Sequence, residues 1–335
     1  MFNKLYENIK KFIKDNRVLL IIILVIIGLF YIKLPFVVYT PGGTINIADR
    51  ISVDGKHNKT KGKLQLTYVS MMNGSPFYVL ASYIMPNWDL EKKEDITYED
   101  ETMQDMIKRD KLYLKQSEDM AIISSFNEAK KEIKIKKIHN QIVYISKRSD
   151  TNLEIGDEII SVNGKKIKSL DEFKKIIKKS KYNSKLNLEI TRNDKKEKAY
   201  AKVKKIDNQK LVGISFLTTV DYETNPKIEI KNKTSESGSS GGLMLSLSIY
   251  NQIIDKDIIK GRNVVGTGTI DMDGNVGEIG GVKYKVMGAN KDNADIFLVP
   301  KENYKEAKKT IEKNNYKMKL VKVETLKDAI KYLEK

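Results

Sequence analysis

From Val18 to Ile32 the chain reads VLLIIILVIIGLFYI, and after Lys33 it continues Leu34-Pro35-Phe36-Val37-Val38-Tyr39. As one helix, residues 18–39 are long enough to cross roughly 30 Å of hydrocarbon, so a single transmembrane anchor is predicted there. Residues 1–17 carry Lys4, Lys10, Lys11, Lys14 and Arg17 against Glu7 and Asp15, whereas residues 34–48 carry no charge. That asymmetry predicts a cytoplasmic N-terminus and everything after about residue 40 outside a bacterial cell membrane. A cleaved signal peptide normally ends in a small-x-small site. No Ala-x-Ala follows the apolar run, so a retained anchor is expected, with Lys33 snorkelling toward the outer interface.

Beyond the anchor, Thr40-Pro41-Gly42-Gly43 reads as a turn and Gly62–Val69 alternates like a half-buried strand. Residues 76–88 and the charged stretch from about Tyr98 to Glu132 have helical spacing. Between about Ile133 and Lys205 short strands surround one helix at Leu170–Lys178. From Leu211 onward strands such as Val264–Ile270 and Ala294–Pro300 alternate with helices near 242–254, 283–292, 302–314 and 325–334. The expected class is α+β, or mixed α/β in the last part.

Within the strand-rich middle, Leu153-Glu154-Ile155-Gly156-Asp157-Glu158-Ile159-Ile160-Ser161-Val162-Asn163-Gly164 resembles the ϕ-x-x-GD-ϕ-I-x-x-V-[ND]-G run of bacterial protease-type PDZ domains. Asn163-Gly164 is by itself a tight-hairpin signal. The resemblance implies capture of an extended peptide by addition to a sheet edge. The sequence before Val143, Lys137–Gln141, lacks the glycines expected of a carboxylate-binding loop, and His139 reads as a loop residue. The expected division is a cytoplasmic tail over 1–17, the anchor over 18–39, membrane-proximal strands and helices over 40–132, a PDZ-like domain over 133–206 and a proteolytic domain over 207–335.

Composition narrows the chemistry. The net charge of +17, from 61 Lys and Arg against 44 Asp and Glu, is spread along ordinary helices and strands. It reads as a solvated surface, and no recognition motif supports a nucleic-acid partner. The chain has no cysteine and only His57 and His139, which excludes thiol catalysis and Cys-ligated zinc and leaves a histidine triad without a recognisable setting. Asp271 and Asp273 lack the later glutamate of an EF-hand and read as a hairpin turn, and Glu236 reads as a loop acid. No metal and no cofactor are expected.

Two glycine-rich settings remain, Gly238-Ser239-Ser240-Gly241-Gly242 and Gly280-Gly281-Val282-Lys283. A serine hydroxyl becomes a nucleophile when a neutral lysine takes its proton. Small neighbours let a peptide backbone approach Ser240, and the apolar run from Leu243 predicts a buried helix whose N-terminal amides face the reacting carbonyl. These segments closely resemble the proteolytic domain of the Lon family. GSSGG stands in place of G-P-S-A-G, and Gly280–Lys285 in place of I-G-G-[ILV]-K-x-K, with Gly266-Thr267-Gly268-Thr269-Ile270 between them. In layout the chain resembles membrane-anchored PDZ–Lon-type endopeptidases of the YlbL and SepM type. The resemblance implies Ser240 as nucleophile, Lys283 (43 residues later) as general base, and Thr267 as the hydroxyl that orients the lysine. Gly238, Ser239 and Gly241 support the loop, with Ser239 and Gly241 replacing the family's proline and alanine.

No G-x-x-x-x-G-K-[ST] is present, so ATP-independent serine endopeptidase activity is expected, on flexible peptides or exposed segments of unfolded protein outside the membrane. The resemblance also allows a homo-oligomer. The rival readings are a non-catalytic membrane-anchored peptide-binding scaffold and a basic surface protein binding anionic polymer.

Overall fold

A computed structural model describes residues 2–57, 60–98, 101–167 and 170–335. The chain forms two compact units, Met1–Pro41 with Val69–Ile96 and Gly42–Tyr68 with Thr97–Lys335.

The smaller unit contains helices α1 (Phe2–Asp15), α2 (Arg17–Tyr31), α3 (Pro76–Ile84) and α4 (Lys93–Ile96), and strand β5 (Asp89–Lys92). The helix predicted over 18–39 is shorter than expected. It ends at Tyr31, Ile32 turns to extended backbone (φ −67°, ψ 123°), and strand β1 (Phe36–Asn46) begins four residues later. Lys33 and Pro35 break the apolar helix, and the β-branched Val37 and Val38 are fully buried as strand residues. At 1.5 Å per residue α2 spans only about 22 Å. Among the described residues no helix is long and apolar enough to cross a membrane. Ser75 caps α3 by accepting from the Tyr78 amide, with Pro76 in the first turn where no amide is needed. Phe77 of α3 stacks on Phe30 of α2 at 4.5 Å.

The larger unit is built on a mixed sheet of order β19-β18-β15-β4-β1. Its strands are β4 (Lys63–Asn73), β15 (Asn263–Gly266), β18 (Ile296–Pro300) and β19 (Lys319–Val323), parallel from β4 to β19. Alternate residues of each strand face opposite layers. Val264, Ile296 and Leu298 pack with α5 (Met103–Glu128), α7 (Gly242–Ile253) and α10 (Leu326–Glu334), while Val265, Phe297 and Val299 pack with α8 (Val282–Lys291) and α9 (Tyr304–Lys313). Helices on both faces of parallel strands make this part α/β, not α+β. Short strands β2 (Ile51–Val53), β3 (Lys56–His57) and β14 (Ile228–Ile230) form a separate sheet, and β16 (Thr269–Ile270) pairs with β17 (Val276–Gly277).

A second sheet has the order β10-β9-β7-β6-β13, from β6 (Ile133–Ile145), β7 (Glu158–Val162), β9 (Lys185–Arg192), β10 (Lys195–Lys202) and β13 (Ile214–Thr224). The short β8 (Lys165–Lys166) pairs with β7, and β11 (Lys204–Ile206) pairs with β12 (Gln209–Leu211). Asn163 and Gly164 turn the β7–β8 hairpin with φ of 49° and 76°, as their sequence predicts. Helix α6 (Leu170–Lys179) closes the core through Phe173 and Ile177 over Ile142, Leu188 and Ile190.

The Gly-Asp step of this domain has a structural role. Asp157 is 1% exposed, its carboxylate accepts from the Glu154 amide at 2.8 Å, and Arg192 donates to both of its oxygens at 2.8 and 2.7 Å. A buried carboxylate deprived of its cation is costly. Arg192→Met should therefore lower stability by about 3 kcal/mol, read as a drop in the denaturant midpoint of the full chain.

Candidate active site

The segment 232–242 reaches α7 through a tight loop. Gly238 takes φ of 88°, a region closed to most side chains. A Cβ on Gly242 would lie 2.8 Å from Ile270 Cγ2 and 2.9 Å from Ser117 Oγ, so the last glycine is required by packing, not by substrate approach. Ser240 is half-buried at the end of this loop. Its carbonyl accepts the Gly268 amide at 2.8 Å and the Thr267 hydroxyl at 3.0 Å. Thr267 is fully buried at the end of β15, where its own amide donates to Leu298 O. The sequence-predicted Ser240 and Thr267 thus come together.

Lys283 does not join them; Lys285 does. Lys285 Nζ donates to Thr267 Oγ1 at 3.3 Å, and the side chain is 4% exposed. Residues two apart on a helix point about 200° from each other. Lys283 therefore leaves the face on which Val282, Lys285, Val286 and Ala289 are buried, and its ammonium lies over its neighbour Tyr284's ring at 4.8 Å. The lysine that Thr267 contacts is therefore Lys285 and not the expected Lys283. The K-x-K pattern offered both lysines, and the apolar spacing of Val282, Val286 and Ala289 was the signal that selects the second.

Burial lowers the Lys285 pKa from 10.5 to about 8, because removing water penalises the ammonium and not the amine. Its position in the first turn of α8, behind Gly281 at φ 65°, places it near the positive end of the helix dipole, which acts in the same direction. The remaining predicted features have plain roles. Ser239 O accepts the Ser117 hydroxyl at 2.9 Å, Glu236 pairs with Arg50 at 2.8 Å, and Asp271 accepts from the Asp273 and Asn275 amides to form the β16–β17 turn. His139 lies in β6, not in a loop, between Glu158 at 3.0 Å and Asp221 at 2.9 Å.

The second sheet ends in an open edge. Gly213, with φ of 71°, directs its carbonyl to the Ser146 amide, and among the described residues β13 then pairs on one side only, with β6. Alternation puts the main-chain groups of Ile214 and Phe216 on the other side, next to a small recess lined by Asn140, Ile159, Ile167, Leu170, Phe173 and Phe216. A glycine thus stands at this end of the edge, on the C-terminal side of the sheet and not before Val143. Further along the same edge, Thr218 O and Val220 N are bonded by Gln116 and Asp119 of α5.

Comparison with known proteins places these two regions. Residues 222–334 match the Lon protease (S16) C-terminal proteolytic domain, and residues 123–203 match the PDZ domain. The chain carries a PDZ domain and a Lon-type proteolytic domain. It is 32% identical over 94 residues to a Lon protease of Aster yellows witches'-broom phytoplasma (strain AYWB), covering 28% of this chain and 12% of that protein. It is 33% identical over 100 residues to a Lon protease of Campylobacter jejuni, covering 30% of this chain and 12% of that protein. The chain thus spans about an eighth of the length of these relatives. Among solved structures, the PDZ domain of an SdrC-like protein from Listeria monocytogenes is 25% identical, covers 23% of this chain and 86% of that one, and has a TM-score of 0.22.

Burying Lys285 has a thermodynamic signature. Its folded pKa lies below the unfolded one, so the native state is penalised by about 3 kcal/mol below pH 8. The penalty shrinks as pH rises from about 8 to 10.5, where the unfolded chain alone holds the proton. Lys285→Met should accordingly be more stable than wild type at pH 7, and thermal unfolding across pH should show this advantage fading above pH 8.

Proposed function

We propose that this chain is an ATP-independent serine endopeptidase in which Ser240 is the nucleophile and Lys285 the general base. The observation that carries the reading is the buried Lys285 amine joined through Thr267 to Ser240 within the Lon-type segment. With a pKa near 8, a useful fraction of the lysine is neutral at physiological pH and able to accept the Ser240 hydroxyl proton. The serine oxygen then attacks the peptide carbonyl carbon. Charge develops on the carbonyl oxygen. The amides of Gly242 and Leu243 are already bonded to Ser239 O and Gly268 O, so the Ser240 and Gly241 amides are the donors for that oxyanion, each worth about 3 kcal/mol in such sites. Lys285 passes its proton to the leaving amine, an acyl-enzyme remains, and water deprotonated by Lys285 releases the second product and restores the serine.

The PDZ domain supplies positioning. An extended chain end adding along Ile214–Leu217, with its carboxylate toward Val212-Gly213, would gain main-chain hydrogen bonds from the free edge of β13. Flexible peptides and exposed segments of unfolded proteins fit such an edge. Membrane attachment, in the manner of the YlbL and SepM type, belongs to the same reading. No residue of α2 is buried and none after Arg17 is charged, and α3 adds exposed Phe77, Leu80, Tyr83 and Ile84. The lysines of α1 favour a cytoplasmic N-terminus, with the proteolytic domain outside.

The test is the full chain incubated with an unstructured peptide pool and read by mass spectrometry. Ser240→Ala and Lys285→Ala should each reduce cleavage by about a thousand-fold or more, while Lys283→Ala should stay within a few-fold of wild type. For the wild type, kcat/KM should rise about ten-fold per pH unit below 8 and level off above it. Cleavage that survives Ser240→Ala would reject the dyad, and peptide binding without products would favour a non-catalytic scaffold.

A further inference from the structure

We infer that Lys111 and Ser117 of α5 are positioning residues for the nucleophile loop, and that α5 couples this loop to the open edge of β13. The inference rests on the reading of Ser240 as nucleophile. The loop preceding Ser240 has little structure of its own, for between β14 and α7 only isolated turns occur. Beside the Arg50–Glu236 pair, its order is supplied by one face of α5. The Gly238 amide donates to Asp110 O at 2.9 Å. Lys111 Nζ donates to the carbonyls of Thr234 and of Glu236, the latter at 2.7 Å. Ser117 Oγ donates to Ser239 O at 2.9 Å, and Asn232 bonds Glu118.

Residues 110, 111, 117 and 118 lie two helical turns apart and share one side of the helix. Lys111 gathers two carbonyls that would otherwise repel each other, and its donors are charged, which strengthens each bond. Ser117 reaches the residue next to Ser240 and also fills the space against Gly242. Neither side chain touches a reacting atom; each fixes where the Ser240 hydroxyl lies relative to Lys285.

The same helix closes the β13 edge. Gln116 donates to Thr218 O at 3.1 Å, and the fully buried Asp119 accepts the Val220 amide at 3.0 Å. An added strand can therefore pair with β13 only as far as Leu217, and α5 marks where it must leave the sheet. A peptide seated on this edge abuts the helix that holds the nucleophile loop, so occupancy of the edge bears on the loop through α5.

The experiment compares Lys111→Met, which keeps the aliphatic stem, with Lys111→Arg, which keeps the charge and donors. Hydrogen exchange on the full chain reads the loop without requiring activity. In Lys111→Met the amides of 234–240 should exchange at least ten-fold faster, with α7 and β15 unchanged, and Lys111→Arg should restore much of the protection. On an unstructured peptide, kcat should fall by about ten- to a hundred-fold with KM nearly unchanged. Ser117→Ala should move both readouts in the same direction by a smaller factor. Gln116→Leu should speed exchange in 234–240 although it touches none of those residues. Unchanged exchange in Lys111→Met would overturn the clamp, and unchanged exchange in Gln116→Leu would overturn the coupling. Either result leaves the dyad standing, which Ser240→Ala tests separately.

Discussion

The larger unit holds one lysine amine out of water, against its own stability. Lys285 can be buried only because α8 lies against one face of a parallel sheet, and because Thr267 at the end of β15 offers a hydroxyl where the amine emerges. That hydroxyl accepts from Lys285 and donates to Ser240 O, so a backbone carbonyl, an alcohol and an amine form one chain of hydrogen bonds. Each link comes from a different element, and none could be kept if the sheet, the loop or the helix shifted by an ångström. The desolvation that lowers the lysine's basicity is unfavourable to folding. The surrounding core offsets it, with Val265, Val282, Val286 and Phe297 all fully buried, each such side chain contributing about 1.5–3 kcal/mol when removed from water.

Much of this was legible in the residues. The continuous apolar runs Val264-Val265 and Ile296–Val299 announce strands with two covered faces, and the glycines flanking Ser240 and Thr267 mark the loops that bring these two residues together. The hairpin at Asn163-Gly164 follows from the ability of both residues to adopt positive φ. The lysine was misplaced by two residues because spacing along the chain says nothing of which way a helix turns its side chains; the apolar stripe of α8 does. The anchor was overextended for a related reason. A continuous apolar run fits a helix and a buried strand equally well, and Val37 and Val38 are recruited by pairing with residues near 90 that lie far away in sequence.

The PDZ edge was hidden by topology. A carboxylate-binding loop was sought before the first strand of the domain, but the strand that borders the recess is β13, which arrives last. Its glycine, Gly213, looks ordinary in sequence. Only the pairing of β13 with β6 shows that the chain has carried the domain's edge to its C-terminal end, and with it the start of the proteolytic domain.

That arrangement has a mechanical consequence. β13 is at once the outermost strand of the PDZ sheet and the strand whose second half is held by α5. No flexible linker separates the two regions at this point: residues 214–224 form one continuous strand. The buried Asp119 makes the attachment at Val220 stiff, since its carboxylate is fixed by the Val220 amide and by Lys115 on the same helix, and breaking a buried charged contact costs several kcal/mol. The loop that carries Ser240 is thus tied to the open edge of β13 by main chain on one side and by a 26-residue helix on the other.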